Sequence, residues 1–270
     1  MPRIPPRKRL AAIAAAAIEV FGRLGYRGTR TAEVAAKAGM STGSLFTYVE
    51  SKEALFHLVF LYCLRLLPDS PELPLRTPEP GATVALFAQA MDGTPMSRLQ
   101  VALAADEPAD VAGELRGIVA EIYDTLERAW PLLSVVERCA PEIPELEKVW
   151  FGEGRADIYT DLAEYLRRRA ATGQLRPMPD ARMAAHVVGE MAAWSAWHRR
   201  QGYDGKLFDD QTARRTTIEF VCAALIPETA PHDTSQADHP ERQVALPRSP
   251  ATRSGQPGVK GRRQGKDEAP

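Results

Sequence analysis

Between Arg30 and Val49 the chain leaves little choice of fold. The run RTAEVAAKA is rich in alanine and has helical spacing, which predicts a helix over 30–38, and Gly39 then supplies the permissive backbone of a tight turn. Ser41 follows as a residue able to cap a second helix by accepting a free backbone amide. Val34 and Ala35 before the turn, with Leu45 and Val49 after it, supply the apolar contact between the two helices. The segment reads as helix, turn, helix. Ser51 caps a third helix running to about Leu66, with an apolar stripe expected through Leu55, Val59, Tyr62 and Leu66.

The flanking sequence follows the same period. Leu10, Ala14, Ala17, Phe21 and Leu24 recur at spacings of three and four, one stripe of an amphipathic helix. Basic residues followed by LAAIAAAAI also resemble a secretory leader, a reading that Glu19 within the apolar run disfavours. No stretch approaches the roughly 20 apolar residues of a membrane span. Further on, helices are expected over 110–140, 146–172, 180–201 and 209–226, the last two opened by the capping residues Asp180 and Asp209. Pro and Gly clusters punctuate them, and no run alternates as a strand would. The fold class is therefore all-α, with an N-terminal three-helix unit over 7–62 and a larger helical unit over 63–227. Residues 228–270, rich in Pro, Gly, Ser and alternating charge, are expected to be disordered; their basic residues Lys260, Arg262, Arg263 and Lys266 are read as a solvated tail ahead of a nucleic-acid contact.

Charge separates the two units. Residues 1–56 carry nine basic against four acidic side chains, and residues 57–227 carry eighteen against twenty-five, so a net charge of -1 conceals a basic end suited to a polyanion. Cys63, Cys139 and Cys222 are odd in number, widely spaced and without a CxxC, which suits reduced thiols in the cytoplasm and argues against metal ligation.

Phe21, Gly25, Thr29, Val34-Ala35, Ala38-Gly39-Met40-Ser41, Leu45, Tyr48, Lys52 and Leu55 resemble, in order and spacing, the TetR family of transcriptional regulators. The match covers roughly residues 8–60. Phe46 stands where the family usually has tyrosine, and Val49 replaces a common phenylalanine. The resemblance implies that Lys52 and Tyr48 hold the phosphate backbone of double-stranded operator DNA. It places Thr42, Ser44, Phe46 and Thr47 towards the major groove, after the cap Ser41, and brings Arg30 or Thr31 in from the preceding helix. Arg27 adds a cation beside them, with plain solvated surface as the alternative for Arg27 and Arg30 and core packing as the alternative for Phe46. For residues 63–227 the resemblance implies a pocket for a small apolar or amphipathic inducer and a homodimer through helices near 180–201 and 209–226, but no motif identifies the pocket residues. His186, His198 and Arg199 are candidates for the pocket or the subunit contact, with plain surface placement as the equal alternative.

The helix from Ser41 has no Arg, Lys, Asn or Gln before Val49, so two-pronged reading of guanine or adenine is not expected from it. Hydroxyl and thymine-methyl contacts, Arg30 and DNA shape remain. Gly39-Met40-Ser41-Thr42-Gly43 also spells GxSxG, but a hydrolase nucleophile elbow needs a strand before its serine, and an alanine-rich helical run precedes this one. The expectation is a non-enzymatic, cofactor-free DNA-binding repressor relieved by an inducer. The rivals are a DNA-binding dimer without a ligand and a helical hydrolase using Ser41.

Overall fold

The computed structural model describes residues 5–93, 96–105 and 110–228. The chain divides into two units, Met1–Glu228 and Thr229–Pro270, and the expected disordered tail lies outside the described residues. Among the described residues the regular structure is helical, and strand-like pairing is confined to an isolated bridge between Val49 and Leu75.

Helix α1 (Pro6–Gly28) is followed by α2 (Thr31–Lys37), α3 (Thr42–Leu45) and α4 (Lys52–Cys63). The stretch that resembled a leader is core: Leu10, Ile13, Ala14, Ala17 and Phe21 have no exposed surface. Gly25 interrupts α1 with φ 75° and ψ -179°, a region kept essentially to glycine that costs another residue about 1–3 kcal/mol, and Thr29 Oγ1 donates to its carbonyl at 2.7 Å. Gly39 turns the chain between α2 and α3 with φ 69°. Val34, Ala35, Leu45 and Val49 are fully buried in one cluster with α1 and α4. Truncating Leu45 to alanine there should cost about 2–5 kcal/mol.

Two expectations for the third helix are corrected. It ends at Cys63, after which Arg65 takes a left-handed conformation, and Tyr62 and Leu66 are exposed instead of continuing the stripe. Its buried face is broader than a stripe: Ala54, Leu55, Phe56, Leu58, Val59 and Phe60 are all covered, because α4 is packed on more than one side.

Helices α5 (Ala82–Asp92) and α6 (Ser97–Ala104) lead into α7 (Val111–Cys139), which was expected over 110–140. Pro131 lies inside α7 and cannot donate to the preceding turn. The helix serves two cores, one on each side of that proline. Leu115, Ile118, Val119 and Ile122 pack with α6 and with the helices introduced next. Leu132, Leu133, Val135 and Val136 pack with α1 and α4.

The single helix expected over 146–172 is broken. A short α8 (Pro144–Glu147) passes into a π turn, Lys148–Glu153, before α9 (Gly154–Ala171). The helix expected over 180–201 likewise consists of α10 (Ala181–Ala193), a π turn Trp194–His198 and a last turn, α11 (Arg199–Gln201). Helix α12 (Asp210–Leu225) completes the order. Asp180 and Asp209 cap α10 and α12 as expected, each accepting a backbone amide at 2.8 Å. Buried arginines tie the helices together: Arg169 reaches Glu114 and two carbonyls, and Arg199 reaches Asp210 and the carbonyls of Ser195 and Phe208. Arg199 is thus a strut and not a pocket residue.

Candidate nucleic-acid interface and regulatory cavity

Local hydrogen bonds shape the α2–α3 surface. Ser41 Oγ accepts the Ser44 amide at 3.1 Å and lies 2.9 Å from the Ser44 hydroxyl. After Leu45 the chain continues in tight turns through Tyr48, held by Thr47 N–H to Ser44 O at 3.2 Å and Tyr48 N–H to Leu45 O at 2.8 Å. Thr47 Oγ1 donates to Ser44 O at 2.7 Å. The hydroxyls of Ser41, Ser44 and Thr47 are therefore engaged locally, and those of Thr42 and Tyr48 have no such bond among the described residues. Phe46 is 41% exposed, so the core alternative fails. Ser41, Ser44 and Thr47 are also exposed, Thr31, Thr42 and Tyr48 half-buried. The GxSxG serine follows α2, and its hydroxyl serves as a helix cap.

Cations divide into paired and free. Arg23 bonds Glu33, Lys37 bonds Glu19 and Arg7 bonds Asp69. Arg27 and Arg30 are exposed and have no carboxylate partner among the described residues. Lys52 is placed with more constraint. Its ammonium sits 4.7 Å from the centre of the Tyr26 ring and 3.4 Å from the Arg27 carbonyl, at the N-terminus of α4. Tyr26 in turn donates to Glu53 at 3.0 Å, and burial together with that carboxylate pushes its phenol well above the ordinary range. A bond from its own backbone amide, with the Tyr26 and Ser51 hydroxyls, holds the Glu53 carboxyl below its usual value. The positive end of α4 and Lys52 thus share one corner with Arg27.

Sequence reasoning missed a neighbour of this corner. The segment between α4 and α5 returns to the end of the helix-turn-helix, where Leu75 N–H donates to Tyr48 O at 2.8 Å and Leu75 O accepts from Glu50 N–H at 3.0 Å. Thr77 N–H donates to Glu50 Oε2, and its hydroxyl to the Ser51 cap. Alternation about the Val49–Leu75 bridge puts Arg76 on the same side as Tyr48 and Glu50, and its side chain is exposed and unpaired among the described residues. Only the pairing, remote in sequence, reveals it.

The cavity among α7, α9 and α10 occupies about 130 Å³ and is walled by Leu126, Leu133, Ile158, Trp150 and Trp197. Arg155 and Tyr159 line both this cavity and an outer cleft of about 730 Å³ between α9 and α10, which includes His186. His186 stacks on Tyr159 with ring centres 4.1 Å apart, while His198 faces Glu137. Of the large apolar side chains in this half, Phe87, Tyr123, Trp150, Tyr165 and Trp197 are buried, and Phe151 and Trp194 are exposed.

A small helix-turn-helix with free cations at its edge, joined to a helical domain holding a cavity, defines a DNA-binding regulator of the helix-turn-helix class. Residues 13–59 match the family model for bacterial regulatory proteins of the tetR family, and residues 123–224 match that for the C-terminal domain of AefR-like transcriptional repressors. The chain belongs to the TetR family of transcriptional regulators. Among solved structures it is similar to the fatty acid degradation regulator FadR from Bacillus halodurans, at 16% identity over 82% of this chain and 97% of that one, with a TM-score of 0.45. FadR from Bacillus subtilis in complex with stearoyl-CoA is 15% identical over 79% and 97%, TM-score 0.42, and SmeT in complex with triclosan 17% over 87% and 100%, TM-score 0.43. No curated protein sequence matches the chain.

Proposed function

We propose that this regulator is a homodimeric, cytoplasmic, non-enzymatic repressor. Residues 7–62 hold double-stranded operator DNA, and a small molecule entering residues 63–227 releases it. In this reading Lys52, Tyr48, Arg27 and Arg76 meet phosphates, Thr42 and Phe46 meet base edges with Ser44 and Thr47 beside them, and Arg30 and Thr31 approach from α2. Ser41 holds α3 in shape. The observation that carries the DNA reading is the set of cations without a carboxylate partner around the α4 N-terminus, beside an element whose exposed face has no other partner among the described residues. Phosphate neutralisation by such groups supplies affinity, and groove contacts supply choice.

Dimerisation is supported by the apolar side chains left uncovered on α10 and α12, above all Met183, 63% exposed, and Phe220, 67% exposed, with Val187 and Trp194 between them. The ligand-free dimer is the second reading, and the cavity disfavours it, since a domain that only dimerises has no need of an apolar cavity.

Selection of bound duplexes from random DNA by the intact protein tests the proposal. The expected product is a pseudo-palindrome, because a two-fold protein reads two inverted half-sites. Failure to enrich any sequence would reject the reading.

A further inference from the structure

We infer that the cavity among α7, α9 and α10 is a site for an amphipathic acid, whose apolar body fills the cavity and whose carboxylate is received by Arg155 and the indole N–H groups of Trp150 and Trp197. The inference rests on the reading of residues 63–227 as a ligand-binding domain and names the chemistry of that ligand.

Both indoles wall the cavity, and both indole nitrogens are buried with no hydrogen-bond acceptor among the described residues. Buried donors are nearly always satisfied, so two orphans on one cavity mark a place where an acceptor belongs. Both tryptophans sit in π turns, Trp150 in Lys148–Glu153 and Trp197 in Trp194–His198. Such turns recur at functional sites because they displace side chains from helical register. Here they bring the two rings within 6.0 Å of each other, centre to centre.

Arg155 supplies the charge. Its guanidinium lies 5.0 Å from the Trp150 ring centre, and its Nη2 donates to Tyr159 Oη and to Glu190 Oε1, each at 2.8 Å. Tyr159 Oη also donates to Glu190 at 3.3 Å. Arg155 and Tyr159 form the partition between the cavity and the outer cleft, with Glu190 on its outer side. The partition is pressed against α10: a Cβ on Gly189 would come within 2.5 Å of the Tyr159 ring and 2.7 Å of its hydroxyl. Glu190 holds Arg155 Nη2 from the outer-cleft side, so a ligand carboxylate competes with it there or takes the other guanidinium nitrogens. A cation is repelled by the guanidinium and meets only neutral hydroxyls such as those of Thr125 and Tyr159 on the cavity wall, and a neutral alcohol accepts a weaker bond from the guanidinium than a carboxylate does. An engineered apolar cavity of about 150 Å³ holds benzene, so a phenyl-sized body suits this one.

The test is calorimetry of the intact chain, without DNA, against phenylacetate, 2-phenylethanol and phenethylamine, which share one body and differ in the head. Phenylacetate is expected to bind about ten-fold tighter than the alcohol, with the amine weakest, as a charge-assisted bond to Arg155 requires. Arg155→Gln should abolish the acid-over-alcohol preference. Trp197→Phe, which keeps the ring and removes the N–H, should weaken the acid several-fold. The wild-type series stands by itself if a variant misfolds. Equal binding of acid and alcohol, amine binding as tight as the acid, no binding by any of the three, or a preference surviving in Arg155→Gln would each overturn the inference. Because no DNA is present, failure here is distinct from failure of the repressor reading, which the duplex selection reports.

Discussion

Lys52 and Phe46 represent two kinds of expected DNA contact, and substitution should separate them. Lys52 is a cation at a helix N-terminus, held over Tyr26, and it carries no information about bases. Lys52→Ala should weaken binding to every duplex alike and lower the slope of log affinity against log salt by about one; Arg76→Ala should do the same if the returning segment reaches phosphate. Phe46 is an exposed ring on an element without long polar side chains, suited to a thymine methyl. Phe46→Ala should flatten preference at one operator position, by about 1–3 kcal/mol of discrimination, with the salt slope unchanged. Quantitative binding to a panel of single-base variants at several salt concentrations distinguishes the two. A uniform loss for Phe46→Ala would reassign it from base to backbone. The roles of Gly39, Ser41 and Ser51 were legible in the sequence because turn and cap chemistry is local. The commitment of the Thr47 hydroxyl to Ser44 O was not, since it depends on the tight turns after Leu45.

Two connections join the DNA-facing unit to the cavity at the level of elements. One is a run of ring contacts: Trp150 lies 6.2 Å from Phe87, Phe87 6.0 Å from Phe60, Phe60 5.0 Å from Phe56, and Phe56 5.1 Å from Tyr26, on which Lys52 rests. The other is Glu142, after α7, whose carboxylate accepts the Arg27 amide and occupies the space that a Cβ on Gly25 would need. Spatial continuity is not itself coupling; a ligand releases DNA only by preferring the arrangement that DNA disfavours. Coupling of about 1–3 kcal/mol would change affinity by roughly 5–150-fold in both directions. Glu142→Gln keeps the shape but weakens the bond to Arg27, so it should reduce the change in ligand affinity caused by operator DNA more than it alters either affinity alone. Titration of the selected duplex and of phenylacetate, each with and without the other, measures this. Undiminished coupling in Glu142→Gln would remove that contact from the account. The sequence showed α4 as a helix capped by Ser51. It overstated the stripe at Tyr62 and Leu66, because where a helix stops depends on the turn at Arg65. The π turns were invisible, since Leu146 and the residues after it keep an ordinary helical period while the backbone gains an extra residue per turn.

At the scale of the molecule, the basic character of residues 1–56 against the acidic residues 57–227 assigns the polyanion to one end of the chain. The all-helical class was legible throughout, because apolar spacing of three and four recurs in every long element and alternation in none. The two cores sharing α7 were not legible: Leu115 and Leu132 obey the same period, and only the packing sends them to different neighbours on either side of Pro131. The central claim is that one protomer offers one half-site reader and that α10 and α12 bring two together. The most direct measurement is the stoichiometry and affinity of the intact chain on a selected duplex carrying two half-sites, compared with a duplex carrying one. The account predicts two protomers on the full site, half-sites separated by about one helical turn or its multiples, and a marked loss of affinity on the single half-site. A single protomer bound with equal affinity to both duplexes would contradict it.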